Sequence, residues 1–254
     1  MTGSVGPVTL VIDIGGSGLK AGRLDPGGHL LSERARTPTP QPARPAAVVA
    51  ALADLVLPMG RFDRVSVGFP GVVRGGLVLT APNLGTAEWR GHDLAGQLAA
   101  RLGRPVRMLN DATVQGLGVI AGRGVELVVT LGTGFGFALY HDGQVGSHLE
   151  IGQHPARKEM TYDQYVGAAA LNQVGRKRWR MRVRRVLAQM EALANPDALL
   201  VGGGNAKLVD WELPAHVRLI GNESGVIGGA RLWDPALDPV FASGASAGER
   251  QGAP

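Results

Sequence analysis

Two stretches of this chain repeat one another, and that repeat limits the possible fold more than any other feature. Val8-Thr-Leu-Val-Ile-Asp-Ile-Gly-Gly16 lies over Val125-Glu-Leu-Val-Val-Thr-Leu-Gly-Thr133 with its apolar positions and a glycine in register. Further on, Asp25 falls on Asp142, so strand, glycine turn, strand and aspartate turn recur in the same order. Buried strands alone resemble each other by chance. The shared turn chemistry on both sides points to a duplicated unit. The expected fold is therefore α/β, with two similar lobes, each opening on a β-hairpin and offering a glycine turn, and a ligand cleft between them.

The pattern between the repeats alternates strands with helices. Val8 to Asp13 and Leu19 to Asp25 read as strands, Asp25 to Gly28 as a turn, and a third strand is expected from His29. Thr37 to Pro45 is proline-rich and reads as a loop; Pro45 suits the first turn of a helix carrying Val48, Leu52, Leu55 and Val56 on one face. Arg64 to Phe69 is a strand, Val72 to Leu79 a hairpin around Gly75-Gly76, and Asp93 a helix cap with Gly103 at the far end. A strand from Pro105 to Leu109 delivers the chain to Asn110-Asp111, where a helix begins. After the second repeat, a long helix spans Gln173 to Ala194, with Trp179, Val183, Val186, Met190 and Leu193 at helical spacing. A strand from Asp197 to Val201 runs into Gly202-Gly-Gly204, and a last helix covers Ser224 to Leu232. The expected boundaries are 8–109 for the first lobe, 110–234 for the second, and 235–254 for a disordered tail rich in small residues.

With 254 residues, 44% of them hydrophobic, the chain can bury a substantial core. It has no cysteine, which excludes disulfides and thiolate metal sites and suits a cytoplasmic location. Met1 to Pro7 does not read as a signal peptide, and no apolar run approaches the roughly 20 residues that span a bilayer, so no membrane partner is expected. The formal charge of +5 is concentrated locally, above all in Arg176-Lys-Arg-Trp-Arg-Met-Arg-Val-Arg-Arg185. Trp179 and Val183 there read as core residues, and the cations as a solvated face rather than a nucleic-acid site, although a polyanion would be attracted.

Asp13-Ile-Gly-Gly-Ser-Gly-Leu-Lys20 is neither a Walker A loop nor a dinucleotide fingerprint, because neither spacing is met and no helix follows. Gly15, Gly16 and Gly18, with Ser17, can bring backbone N–H groups close to phosphate oxygens. Asp13 can hold the hydration shell of Mg²⁺, and Lys20 can meet an anionic oxygen. A plain tight hairpin is the alternative. Gly132, Thr133 and Gly134 offer the same device from the second repeat. Asn110-Asp111 stands at a strand's carboxyl end and a helix start, where α/β proteins bind ligands and where ordinary capping also occurs. The helix dipole favours an ionised Asp111 at neutral pH. A weak base suffices for phosphoryl transfer, whose loose transition state needs little early deprotonation of the nucleophile. Gly116 and Gly118 in that helix each cost about 1 kcal/mol, which close packing would explain. In His148-Leu-Glu-Ile-Gly-Gln-His154, Glu150 can accept from two adjacent sugar hydroxyls. A metal site on His148, Glu150 and His154 lacks a fourth ligand, and two loop histidines on the surface are the plain alternative.

These motifs together resemble the ROK family (repressors, open reading frames and sugar kinases) of the actin-like ATPase superfamily, and most of all its polyphosphate-glucokinase-like members. The resemblance runs from Val8 to Asp234 and is carried by residues 13–20, Gly68-Phe-Pro-Gly71, Pro82-Asn-Leu-Gly85, Asn110-Asp111, Leu131-Gly-Thr-Gly134, Glu150-Ile-Gly152 and Gly202-Gly-Gly204. It implies two actin-like (ribonuclease H-like) lobes and Asp111 as catalytic base. Asn110, Glu150 and His154 would bind the sugar, Gly71 and Asn83 would line its pocket, and Gly202, Gly203 and Gly204 would lie beside a nucleotide base. Two departures stand out. The family's Glu-x-Gly-His reads Glu150-Ile-Gly-Gln153, with His154 one place on. The zinc-binding cysteines are missing, so no zinc site is expected, and the sugar-binding glutamate that ends that cluster is matched by the shorter Asp163, which would bind the sugar in its place.

The resemblance implies a hexose kinase that uses Mg²⁺ and either ATP or polyphosphate, acting on glucose at its 6-hydroxyl, and working as a homodimer. Neutralising Arg180 and Arg184 is the natural test of whether the basic helix holds the polyphosphate. A repressor of the same fold would need a DNA-binding module ahead of Asp13, for which a dozen residues leave no room, so nucleic acid is not the expected partner. A sugar-sensing protein without catalysis is the remaining alternative, and Gln153 is the feature that supports it.

Overall fold

A computed structural model describes residues 6–85, 87–221 and 224–242. The chain forms two compact units. One is built from the residues up to Gly118 together with those from Gly225 onward, and the other is Val119–Ser224.

The first unit opens with β1 (Thr9–Ile14), β2 (Gly18–Leu24) and β3 (Ala35–Pro38). The third strand therefore starts six residues beyond His29 and takes in Thr37 and Pro38, which had read as loop. Residues 29–34 contribute a single bridge, Leu24 to Leu30. Leu30 and Leu31 there remain about half exposed, so this stretch has no core to face. Next come α1 (Pro45–Val56), β4 (Arg64–Phe69), the hairpin β5 (Val73–Arg74) and β6 (Leu77–Val78), and α2 (Leu94–Leu102). Asp93 caps α2 by accepting the Gly96 N–H at 2.8 Å, and Gly103 ends it in the left-handed conformation, φ 64°. β7 (Val106–Asn110) runs directly into α3 (Asp111–Leu117).

The sheet order is β3-β2-β1-β4-β7, with β2 antiparallel to β1 and with β4 and β7 parallel to it. Asp13 pairs with Gly68, and Phe69 with Asn110, so three parallel strands present their carboxyl ends in one row. Trp89 anchors the core, fully buried against Phe69, and its indole N–H donates to the Ala43 carbonyl at 2.7 Å.

The second unit repeats the plan. β8 (Val125–Leu131), β9 (Phe135–His141) and β10 (Gln144–Val145) form its antiparallel part. A small ladder of β11 (Pro155–Arg157) and β12 (Met160–Thr161) leads into α4 (Tyr162–Val166) and α5 (Ala168–Ala194). β13 (Ala198–Gly202) and β14 (Val217–Leu219) complete a sheet of order β10-β9-β8-β13-β14. The α/β class is thus confirmed as two mixed five-stranded sheets with equivalent strand orders.

Trp179 occupies the core of this unit and donates to the Val166 carbonyl at 2.8 Å. Trp179, Val183, Val186 and Met190 are buried as their spacing predicts, but Leu193, at the helix end, is 57% exposed. α5 begins earlier than Gln173 and breaks at Gly175 (φ 74°, ψ 161°), so its basic run follows the break. At the position that matches Thr9, Glu126 is buried, and its carboxylate accepts the N–H groups of Ala121, Gly122 and Arg123 at 2.6–3.2 Å. Among the described residues no helix is long and apolar enough to cross a membrane.

The chain then returns to the first unit through α6 (Ser224–Arg231) and ends its described course in α7 (Asp238–Ala242). Residues 235–242, expected in a disordered tail, instead form a 3-10 turn and this helix; residues 243–254 lie outside the described part. Order comes from apolar burial and charge: Leu237 is buried, and Arg107 pairs with Asp238 at 2.6 Å while stacking on Trp233 and Phe241. The Ser66 hydroxyl, deep in β4, donates to the Gly229 carbonyl and accepts from Trp233.

α6 meets α3 at Gly228, where a Cβ would collide with the Val114 carbonyl. Gly228→Ala is expected to lower unfolding free energy by about 1–3 kcal/mol through overpacking against backbone. Urea denaturation checks it, and unaltered stability would mean that α3 moves aside freely.

Candidate active site

In the first unit the strand-end row gathers most of the residues singled out from the sequence. Asp111 is the first residue of α3, and its Oδ1 accepts the Ala112 N–H at 2.8 Å, which orients the carboxylate. It lies over β4 where that strand has glycine: a Cβ at Gly68 would come within 3.4 Å of the Asp111 Cα. Gly68 also pairs with Asp13, so Asp13 and Asp111 flank one glycine on adjacent strand ends.

Asn110 is buried and caps α3, its Oδ1 accepting the N–H groups of Ala112 and Thr113 at 2.9 and 3.2 Å. Its Nδ2 donates to the carbonyls of Phe69 and Gly71 at 3.4 and 3.2 Å. The amide is thus engaged on the scaffold, where it ties the Gly71 turn to the helix that carries Asp111. Gly71 admits no side chain, because a Cβ there would strike the Thr80 carbonyl.

The first glycine loop is held by its carbonyls. Thr39 donates its hydroxyl to the Gly15 carbonyl at 2.6 Å and its N–H to the Ser17 carbonyl at 3.4 Å; Gln41 donates to the Gly16 carbonyl at 3.4 Å. No protein acceptor among the described residues takes the N–H of Gly16 or Ser17. Gly16 packs against Asn83, whose carbonyl a Cβ would approach to 2.7 Å, so the loop and Asn83 adjoin. Gly15 and Gly18 close the turn with a 3.0 Å bond. Lys20 pairs with Asp13 at 3.0 Å across the hairpin, and both side chains are about half exposed.

In the second unit Gly132, Thr133 and Gly134 form the equivalent turn. The Ala168 N–H donates to the carbonyls of Gly132 and Thr133, and Asn205 Nδ2 donates to Gly132. The Asn205 N–H reaches the Leu131 carbonyl at 2.9 Å, drawing the turn of Gly202, Gly203 and Gly204 alongside. Gly203 has φ 88°, and a Cβ would lie 2.5 Å from the Leu131 carbonyl, so glycine is required twice over.

Asp163 fastens this loop. Its Oδ1 accepts the Phe135 N–H at 2.6 Å, and its Oδ2 accepts Gln153 Nε2 at 2.7 Å. The two positions that depart from the family pattern therefore bond to each other, a pairing ten residues apart that no sequence period reveals. Burial raises the Asp163 pKa, the Phe135 N–H lowers it, the Glu150 charge raises it and the Gln153 amide lowers it, with a net rise. Glu150 thus shares the electrostatic neighbourhood of Asp163. His154 is exposed, and its backbone carbonyl accepts the Tyr162 N–H. His148 is half-buried, neither ring nitrogen has a hydrogen-bond partner among the described residues, and burial pushes its pKa down to about 4.

Among the described residues no three His, Asp or Glu side chains gather to coordinate a metal. Asp13, a single carboxylate at the glycine loop, fits an ion that keeps its water shell, as Mg²⁺ does on phosphates.

The sequence profile of the ROK family matches residues 9–162. A polyphosphate glucokinase from Mycobacterium tuberculosis is 34% identical over 239 residues, covering 86% of this chain and 88% of that protein. The crystal structure of an inorganic polyphosphate/ATP-glucomannokinase from Arthrobacter sp. strain KM matches with a TM-score of 0.81 and 33% identity, covering 89% of this chain and 97% of that one. A ROK family glucokinase from Streptomyces griseus, in complex with glucose and AMPPNP, shares the fold at a TM-score of 0.74 and 22% identity, with coverages of 89% and 98%.

Asp163→Ala is expected to cost about 1–3 kcal/mol, because the Phe135 N–H loses its acceptor, while Asp163→Asn, which keeps an acceptor oxygen, costs less. A raised carboxyl pKa means that the folded state holds its proton longer. The wild type should therefore lose stability relative to Asp163→Asn as pH rises above 3.8. Paired urea titrations across pH 3.5–7 read the difference; a gap that does not vary with pH would contradict it. For His148 the sign reverses. Stability is present at pH 7 and lost as pH falls from 6.5 to about 4, by at most about 3 kcal/mol. A ring titration by NMR with a midpoint near 6.5 would refute it.

Proposed function

The chain belongs to the ROK family, and on that premise we propose that it is a hexose kinase, transferring the terminal phosphoryl group of polyphosphate or ATP to the 6-hydroxyl of glucose. The observation that carries the reading is Asp111: a carboxylate on the first turn of α3, set over Gly68 and on the same strand-end row as Asp13 and the first glycine loop. The names of the relatives at 33–34% identity support the sugar and both donors.

In this reading Asp111 accepts the proton as the sugar oxygen bonds to the terminal phosphorus and the bond to the leaving phosphate oxygen breaks. The products are the sugar phosphate and a donor shorter by one phosphoryl group. Phosphoryl transfer asks the protein mainly for positioning and charge stabilisation. The N–H groups of Gly16 and Ser17, and the turn of Gly132 to Gly134, are suited to phosphate oxygens. Mg²⁺ held through water by Asp13 would screen the charge of the donor phosphates. Lys20, paired with Asp13, would fix the orientation of that carboxylate. Glu150 would accept from sugar hydroxyls, with Asn83, Gly71 and His154 completing the sugar side. Asn110 would act chiefly by holding Gly71 and α3 in place. Asp163 would act through the Phe135 N–H rather than on the sugar. For a nucleotide donor, Gly202 to Gly204 would lie beside the base.

Asp111→Asn should lower kcat by about three orders of magnitude or more, towards loss of general-base catalysis, while glucose binding by calorimetry stays within a few-fold. Full activity in that variant would remove Asp111 from the role. A coupled assay of the wild type with ATP and with polyphosphate at equal phosphate concentration tests the activity. Sugar binding without turnover from either donor would leave a sugar-sensing protein in its place.

A further inference from the structure

The basic run on α5 does not present one face. Arg176, Arg180 and Arg184 follow one row of the helix, and Arg178, Arg182 and Arg185 another, each set three or four residues apart. In the first row Arg176 and Arg180 share the single carboxylate of Asp210, and Arg180 and Arg184 stack on Trp211. Arg180 and Arg184, the pair expected to meet a polyanion, thus lie against Trp211 and do not line the cavity beside the second row.

The second row lines a cavity of about 370 Å³ together with Arg157, Lys158, Met160, Tyr165 and Met181. Five cations and no carboxylate line it. Among the described residues none of the five makes an ion pair, although Glu159 is next to Lys158 in the chain. Arg182 lies over the Tyr165 ring and donates to its backbone carbonyl, and Arg185 donates to its hydroxyl at 3.5 Å. Burial alone would raise the Tyr165 pKa; hydrogen bonds from Arg157 and Arg185, with their charges, bring it below its ordinary value. The phenol thus registers a positive field in the cavity. Four of the cations, Arg157, Lys158, Arg178 and Arg185, are exposed to solvent.

We propose that this cavity is an accessory anion site for inorganic polyphosphate, holding a part of the chain remote from the phosphoryl group that is transferred. The proposal rests on the kinase reading for its link to turnover, but not for binding itself. A run of phosphates fits the lining better than a nucleic acid does. The Tyr165 ring is already covered by Arg182 and Trp179 is buried, so the cavity offers no open aromatic face on which bases could stack. Such a site would give a long chain a second foothold that ATP and tripolyphosphate are too short to use.

The test compares two full-length variants of equal charge. Lys158→Gln, Arg178→Gln and Arg185→Gln empty the cavity rim. Lys177→Gln, Arg184→Gln and Arg218→Gln remove three exposed cations that do not line it. Direct binding of long-chain polyphosphate, read by calorimetry at several salt concentrations, should weaken tenfold or more in the first variant only. Its log–log salt slope should fall by about two, from about 0.7 per contact on a flexible polyanion. In turnover assays KM for long-chain polyphosphate should rise about tenfold with kcat within twofold, while tripolyphosphate and ATP kinetics stay as in the wild type. Equal loss in both variants, no loss in the first, or tighter binding of a single-stranded oligonucleotide at equal phosphate would overturn the proposal. Absence of turnover in the wild type with intact polyphosphate binding would sink the kinase reading and leave the site standing. Lys158→Gln alone, at an exposed loop position, guards against misfolding of the triple variant and should give a smaller loss in the same direction.

Discussion

The side-chain amide of Asn110 joins two helical N–H groups to two carbonyls of the neighbouring turn, and it does so at the end of a buried strand. A buried amide engaged on all four sides cannot rotate without leaving several polar groups unsatisfied. The direction in which α3 leaves the sheet is set there, and with it the position of Asp111. Gly68 and Gly71 are required for the same reason: one lets the helix start sit against β4, the other lets the turn pass under the Thr80 carbonyl. The first unit thus places a carboxylate through backbone contacts.

The second unit solves an equivalent problem with different residues. Its glycine turn is held from below by the Ala168 N–H and Asn205, and from the side by the carboxylate of Asp163. Asp163 crowds out a side chain at Gly134, and the Phe135 carbonyl together with Asp163 does so at Gly152. Gln153 occupies the carboxylate's second oxygen. Two changes that look independent along the sequence are one local arrangement, and the loss of a histidine there is matched by a shorter acid drawn toward the loop.

The duplicated strand–turn–strand pattern made both sheets legible, because a period-two apolar run with a glycine turn has few ways to pair. The position of Asp111 at a helix start was legible for a similar reason, since a helix start at a strand end is written in local residues. The contacts that hold the loops were not. Thr39 reaches back 24 residues to Gly15, and Asp163 reaches 28 to Phe135, distances over which no side-chain period operates. Two readings failed in opposite directions: the strand expected from His29 falls on Leu30 and Leu31, which stay exposed, while Leu237, in the expected disordered tail, is buried. Burial depends on what the rest of the chain places opposite, and that is settled by tertiary packing.

The return of the chain to its first unit at Gly225 has a consequence for how the molecule is made. Ser66, buried in β4, finds its acceptor only when Gly229 arrives, 163 residues later, and Trp233 then closes over it. On a ribosome the second unit is complete before the first can be, although it begins later. Until synthesis passes Gly229, β4 carries a hydroxyl without its acceptor, and Gly228 is not there to close against α3. The unit that bears the carboxylate is therefore the last to have all of its residues synthesised.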